Sequence, residues 1–439
     1  MTLGVAGPAG GAAVHSLHTE TLANGLRVVV IPQPHLHTAS VSLYVKAGSR
    51  FESAEDNGLS HFLEHMLFRG TERLPSAYAL NHAIESLGGT LLGATHADFT
   101  LYQVSIPPES LAESIGLFGE IVTHPVFSDL ELEKGIVREE ILEALDEDGR
   151  NVDIEDISRE LVFEGHPLGY KITGDAANIG RFEVPDLHRW LARFYGATNS
   201  LVVIAGAVDA EESARLVREA FSALPAGAQA ETVTPSLVDR EPGFSFVESV
   251  GSQTELRVSF LGIGERDPRR LELEFLARVL DDGMSTRLHR RICDEQGLAY
   301  DVFAALDLYE DCGIFDLGAS VEHSKAPALI EELFALGREL RESLIAPEEL
   351  EKAQKRYLWE LRATLDDAIG LANFYGVRGL LGVPGTLMEV ADAVQRVTAE
   401  DVRALARELF RRERLSVTLI GLLEDDALDA CEKLVAAYR

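Results

Sequence analysis

The chain repeats itself. The stretch from Asp186-Leu187-His188-Arg189 to Phe194-Tyr195, followed by Asn199-Ser-Leu-Val-Val-Ile-Ala-Gly206, reads as a helix, a short break and an apolar strand ending at glycine. The stretch from Asp401-Val402-Arg403-Ala404 to Leu409-Phe410, followed by Arg414-Leu-Ser-Val-Thr-Leu-Ile-Gly421, follows the same plan with the same separation from Asp to Gly. The shift that carries Asp186 onto Asp401 also lays Ala39-Ser-Val-Ser-Leu-Tyr-Val-Lys46 over Thr254-Glu-Leu-Arg-Val-Ser-Phe-Leu261, both with the period of two expected of strands. A repeat this long means two copies of one domain.

Length agrees, because 439 residues are too many for one ordinary hydrophobic core. Between the copies, Pro225-Ala-Gly-Ala-Gln-Ala-Glu-Thr-Val-Thr-Pro235 is poor in large apolar residues and carries proline and glycine, the composition of a linker. The expected organisation is a flexible N-terminal segment over 1–17, a first domain over 18–224, a linker over 225–240 and a homologous second domain over 241–439. In the first copy, strands are expected over 27–32, 39–46, 99–105 and 200–206, with amphipathic helices near 56–68, 77–87, 109–122 and 129–147. The mixture predicts an α+β fold in which each domain is a mixed, mainly antiparallel sheet with helices packed mainly on one face.

Composition narrows the function. A net charge of -32 opposes binding to nucleic acid and to anionic membrane surfaces. No run approaches the about 18 apolar residues that span a bilayer, and the opening MTLGVAGPAGGAAVHS lacks a basic leader and apolar core. Neither a signal peptide nor a membrane anchor is expected. The three cysteines, Cys293, Cys312 and Cys431, form no CxxC pair, which argues against both a disulfide framework and a cysteine metal cage, and a reducing cytoplasm follows as the expected location.

The chemistry concentrates in His61-Phe62-Leu63-Glu64-His65. On a helix, positions i and i+4 share a face, so His61 and His65 can present two imidazoles to one ion, with Glu64 beside them. Neutral imidazole is the commonest zinc ligand, and a neighbouring carboxylate can take a proton from water attacking a carbonyl carbon. The flanking Leu59, Phe62, Leu63, Met66, Leu67 and Phe68 would bury such a helix and keep the site dry. A catalytic zinc site needs a third protein ligand and one open position. The segment Leu130 to Leu145 supplies acids, among which Glu133 and Glu140 lie seven apart and hence on nearly one face, while Leu132, Ile136, Ile141, Leu142 and Leu145 are expected to point inward. Spacing alone leaves Glu139, Glu140 and Glu143 open as the ligand.

Together with Asn24-Gly-Leu-Arg-Val-Val-Val30, Val45-Lys-Ala-Gly-Ser-Arg50, Asn57-Gly-Leu-Ser-His-Phe-Leu-Glu-His-Met-Leu-Phe-Arg-Gly-Thr71, Leu87-Gly-Gly-Thr and Gly297-Leu-Ala-Tyr300, these motifs resemble the pitrilysin family over essentially the whole chain. That family includes insulin-degrading enzyme and the mitochondrial processing peptidase, and its H-x-x-E-H motif reverses the commoner zincin order. The resemblance implies a zinc metalloendopeptidase holding one Zn2+ per chain, with His61, His65 and Glu140 as metal ligands, Glu64 as the acid that activates water, and Glu133 as an acid that orients the site. It implies a second half that keeps the fold without the metal.

The resemblance also implies a substrate strand added to a sheet edge after Leu87-Gly88-Gly89, where Leu92 and Gly93 stand in place of the family's common Asn-Ala. Tyr300 matches a substrate-binding tyrosine, but the arginine commonly found seven residues before it is Cys293 here, with Arg290 and Arg291 nearby. The family's dimeric branch closes its site between two subunits. The expectation is therefore a clamshell dimer, preferably with a homologous subunit that supplies arginine and tyrosine. Members of the same fold in the respiratory bc1 complex offer the alternative, an assembly subunit without peptidase activity.

Overall fold

The computed structural model describes residues 17–236 and 240–439. The expected N-terminal segment 1–17, apart from Leu17, and residues 237–239 of the expected linker lie outside the described residues.

Among the described residues, eleven strands make two sheets. Strands β1 (His18–Thr21), β2 (Arg27–Pro32), β3 (Ala39–Val45), β4 (Leu92–Thr95), β5 (Thr100–Ile106) and β6 (Ser200–Gly206) form the first, in the order β1-β2-β6-β3-β5-β4. Strands β7 (Gly243–Glu248), β8 (Thr254–Ile263), β9 (Phe303–Leu308), β10 (Cys312–Val321) and β11 (Leu415–Gly421) form the second, in the order β7-β11-β8-β10-β9. Only β2 with β6 and β7 with β11 run parallel. The repeat shift carries β2, β3, β5 and β6 onto β7, β8, β10 and β11, and β4 and β9 take the same place at the sheet edge, so the two sheets share one topology, and the α+β expectation holds.

One face of the first sheet packs under helices of its own half. Val28, Val30, Val41, Leu43, Val104, Val202 and Ile204 share a core with Phe62, Met66, Phe118, Leu187 and Trp190. The opposite face, with Tyr44, Leu201, Val203 and Ala205, packs instead against the second-half helix Ala368–Leu381. Tyr44 donates to the carbonyl of Ala372 at 3.2 Å and to Oδ1 of Asn373 at 2.9 Å. Reciprocally, the first-half helix Ile154–Val162 lies on β7, β8 and β11. The repeat shift relates these helices, so the halves exchange equivalent elements. This exchange explains why β6 and β11 are buried at every position and hence on both faces.

A buried ionic joint ties the halves together. Arg50 pairs with Asp98 at 3.0 Å and with Asp311 of the second half at 2.6 Å, and donates to the carbonyl of Val233 at 2.7 Å. Lys46 pairs with Glu310 at 2.6 Å. The stretch expected to be a linker thus runs directly across the junction.

Strand β4 is the edge of the first sheet and lies against the helix Leu59–Leu67. That contact places the motif histidines and glutamate beside a free strand edge.

Candidate metal centre

The helix Leu59–Leu67 starts after Gly58, whose φ of 96° favours glycine and whose Cβ, if present, would lie 2.9 Å from Gly174 Cα and Thr173 O. Its first turn is satisfied from a distance. Buried Glu52 accepts from the backbone amides of Gly58 at 2.9 Å and Ser60 at 2.8 Å, and from the Asn57 side chain at 3.0 Å. A carboxylate at a helix N-terminus both fills orphan donors and meets the positive end of the dipole. The motif's apolar neighbours anchor the helix as expected, since Leu59, Phe62, Leu63, Met66 and Leu67 are fully buried.

The helix Leu130–Glu143 brings the acids. Its orientation corrects the expectation from apolar pattern, because Leu132, Ile136 and Leu142 are exposed while Glu133, Lys134, Val137 and Ile141 face inward. The polar side turns in because Glu133 meets His65, with Nδ1 to Oε1 at 2.9 Å. Arg69, one turn beyond His65, pairs with Glu133 at 3.1 Å and with Asp129 at 2.9 Å. Asp129 precedes the helix in a left-handed conformation with φ 56°. The Arg69 bridge therefore joins the end of one helix to the start of the other.

Across this frame, His61 Nε2 stands 3.4 Å from one oxygen of Glu140, and His65 Nε2 stands 3.6 Å from the other. One ligand atom each from His61, His65 and Glu140 lie within 4.8 Å of one another. Glu139 and Glu143 are exposed and stand outside this group. The Glu140 carboxyl is held below its ordinary range, chiefly by the hydrogen bond from His61 and against the effect of burial. For His65, burial pushes the imidazole down, but the Glu133 hydrogen bond and the charges of Glu64, Glu133 and Glu140 outweigh it and hold the group above its ordinary value.

The donor set fits zinc. Two imidazole nitrogens and one carboxylate are the ligand types of catalytic sites that leave a position open. Glu133 on His65 Nδ1 leaves Nε2 turned toward Glu140, as an outer partner of a metal-bound histidine does. His61 Nδ1 is buried without a partner, which leaves its ring nothing on that side to compete with the Nε2 side.

Glu64 is clamped between helix and edge strand. Thr95 Oγ1 on β4 donates to its Oε2 at 2.6 Å. A Cβ on Gly93 would lie 2.3 Å from its Oε1 and 2.7 Å from the Phe68 ring. The sequence placed Leu92 and Gly93 on a substrate edge, and both are on β4, with Leu92 exposed. Thr95, Glu52, Arg69 and Asp129 were not singled out by sequence. The position of Arg69 four residues after His65 was the one signal available.

Tyr300 is not brought to this group. It lies 94% exposed in the second half, beside a cavity of about 220 Å³ that it shares with Arg257 and Asp301, and it makes no hydrogen bond with the cluster. Cys293 is half-buried within a π-helical segment, His289–Glu295, in which i to i+5 bonding replaces the usual α-helical i to i+4 pattern. Arg290 pairs with Glu295 at 2.7 Å, and Arg291 pairs with Glu332 and, at 2.7 Å, with Glu339. Both guanidinium groups are engaged away from Tyr300. In the second half the repeat shift places Leu276, Val279, Leu280 and Lys355 at the positions of His61, Glu64, His65 and Glu140. Among the described residues no other group of three such side chains converges.

Comparison with known proteins agrees with this division. Residues 27–176 match the family model described as Insulinase (Peptidase family M16), and residues 181–357 match that described as Peptidase M16 inactive domain. An uncharacterized zinc protease of Streptomyces coelicolor is 29% identical, with 96% of this chain and 93% of that protein covered. An uncharacterized zinc protease of Mycobacterium tuberculosis is 30% identical, with 94% and 95% covered. Among solved structures, a protease from Helicobacter pylori has the same fold, with a TM-score of 0.85 at 21% identity over 92% of this chain and 99% of that one.

Proposed function

The chain belongs to the M16 (insulinase) family of peptidases, and from that premise we propose that it is a zinc-dependent metalloendopeptidase acting on peptides or unfolded segments. The observation that carries the proposal is the convergence of His61, His65 and Glu140 on one point, with Glu64 clamped between them and a free strand edge. His61, His65 and Glu140 would hold one Zn2+, which when bound would supply the Lewis acidity that makes a water nucleophilic near neutral pH and polarises a carbonyl. Glu64 accepts the proton of the attacking water and returns it to the leaving amine. Glu133 keeps His65 turned the right way, with Arg69 holding Glu133.

A peptide pairs with β4 by strand addition, so backbone hydrogen bonds provide affinity and Leu92 offers an exposed apolar contact. Gly93 and Thr95, on the same strand, keep the bound backbone and Glu64 in register. Tyr300 and Cys293 support a further step in the proposal: the site closes against the second half of another, homologous subunit, which supplies the arginine that Cys293 replaces and the matching tyrosine. The three free thiols suit a reducing cytoplasm. Among the described residues no helix is long and apolar enough to cross a membrane.

Hydrolysis of an unstructured peptide, assayed on the chain alone and together with any homologous subunit that purifies with it, tests the reading. Glu64→Gln is expected to abolish cleavage while keeping zinc. Cleavage by that variant at the native rate contradicts the role of Glu64. A wild-type chain that binds zinc tightly but cleaves nothing in that assembly favours the assembly-subunit alternative. Full activity of the chain alone, unchanged by Tyr300→Phe, overturns the two-subunit site and leaves the zinc chemistry standing.

A further inference from the structure

Positive charge gathers at one point of this acidic chain. At the junction of the halves, a cavity of about 130 Å³ is bordered by Arg27 of β2 and Lys46 from the first half, Gln229 from the connecting stretch, and Arg266 and Gly382 from the second. Among the described residues the only carboxylate paired with these cations is Glu310, which bonds Lys46 at 2.6 Å and also Arg266. Arg27 has no carboxylate partner among the described residues. Its Nη1 donates to the carbonyl of Gly379 at 2.6 Å, and its Nε is buried with no acceptor.

Part of this charge serves the fold. Arg27 and Arg266 donate to the carbonyls of Gly379 and Leu381, at the C-terminal end of the helix Ala368–Leu381, where cations meet the negative end of the dipole. That role uses one donor of each group and one partial charge. Three cations set against one carboxylate still leave an excess of about two charges, and a buried guanidinium nitrogen without an acceptor is a costly feature to keep. Gly382, with φ 73°, turns the chain beside Arg266, and a Cβ there would lie 3.4 Å from its Nη2. The chain is thus kept close to the guanidinium at the cavity wall.

We propose that this cavity binds a small dianionic oxyanion of the phosphate class, held jointly by Arg27, Lys46 and Arg266. The excess charge matches a dianion, and planar guanidinium groups suit its oxygens. The space suits one tetrahedral oxyanion. Because the ligand touches both halves, its binding favours their observed arrangement.

Isothermal titration of inorganic phosphate into the full chain tests this, with metal first removed by chelation so that phosphate cannot bind at the zinc site, and with ionic strength held constant by chloride. Saturable binding of one phosphate per chain is expected, with sulfate competing. Arg27→Met is expected to weaken it at least about tenfold, the loss typical of one charged hydrogen-bonding group. Should Arg27→Met fail to fold, Arg266→Met, at a side chain half open to solvent, is expected to show the same loss. No saturable binding by the wild type, or wild-type affinity in whichever of these variants folds, overturns the proposal.

Discussion

The backbone of Gly93 lies so close to Glu64 that a Cβ at this position would sit 2.3 Å from the carboxylate oxygen Oε1. The edge strand and the acid of the motif are therefore fitted to each other, and Thr95 completes the fit with its 2.6 Å hydrogen bond. Gly93→Ala must displace either Glu64 or β4. A misplacement of this size costs roughly a hundredfold in rate. Peptide hydrolysis is expected to fall by that factor or more with zinc content unchanged. Thr95→Val, which removes one hydrogen bond to a carboxylate, is expected to cost about tenfold. A Gly93→Ala enzyme with native kcat would show that Glu64 has more room than the structure gives it.

The bridge from Glu133 through Arg69 to Asp129 makes a separate prediction about metal retention. Glu133→Ala is expected to weaken zinc binding by roughly 10- to 100-fold, as loss of a partner to a ligand histidine does. Arg69→Met is expected to weaken it by about tenfold, because Glu133 is left without its clamp, and Arg69→Lys is expected to restore part of the loss. Competition with a chromophoric chelator reads these affinities. Native affinity in Glu133→Ala would mean that His65 needs no outer partner.

Zinc binding should depend on pH in a direction set by His65. Its imidazole is held above the ordinary 6.5, so in the metal-free protein it keeps its proton to a higher pH than a free histidine. The metal must displace that proton. Zinc affinity is therefore expected to begin falling, as pH decreases, while the pH is still above 6.5. Glu133→Ala removes both the hydrogen bond that contributes most to raising the value and the charge behind it, and is expected to move the onset to lower pH. Affinity measured across pH in both proteins checks the sign. An onset that moves upward in the variant contradicts it.

The exchange of helices between the halves makes them one cooperative unit. Tyr44 of β3 lies on Gly376 of the helix Ala368–Leu381, where a Cβ would meet the ring at 2.2 Å. Gly376→Ala is expected to destabilise by about 1–3 kcal/mol through overpacking and to lower the midpoint of thermal unfolding. Gly116→Ala is the control, since a Cβ there meets nothing within 4 Å and helix propensity favours alanine by about 1 kcal/mol. A melt in which Gly376→Ala is as stable as the wild type would separate the halves energetically.

Much of this was legible in the sequence, where the information was local or periodic. The shift from Asp186 to Asp401 anticipated two sheets of one topology, and the spacing of His61, Glu64 and His65 anticipated one face of one helix. Spacing left Glu139, Glu140 and Glu143 open; the structure groups Glu140 with the histidines. What escaped depends on contacts between distant segments. Thr95 reaches Glu64 across a sheet edge, and Glu52 reaches the helix start from a bend upstream. The helix Leu130–Glu143 turned the opposite way from its leucine pattern because the Glu133 contact with His65 fixes its polar side inward. The exchanged helices were invisible because an apolar run such as Leu201 to Ala205 shows that both faces are buried without showing what buries them.

The zinc content of the purified chain tests the central claim most directly, measured by elemental analysis on the wild type and on Glu64→Gln and Glu140→Ala. The account predicts one tightly held zinc per chain in the wild type and in Glu64→Gln, and loss of the metal from Glu140→Ala. A wild type without tightly bound zinc, or a Glu140→Ala variant that keeps its full equivalent, would contradict the assignment of His61, His65 and Glu140 as the metal site.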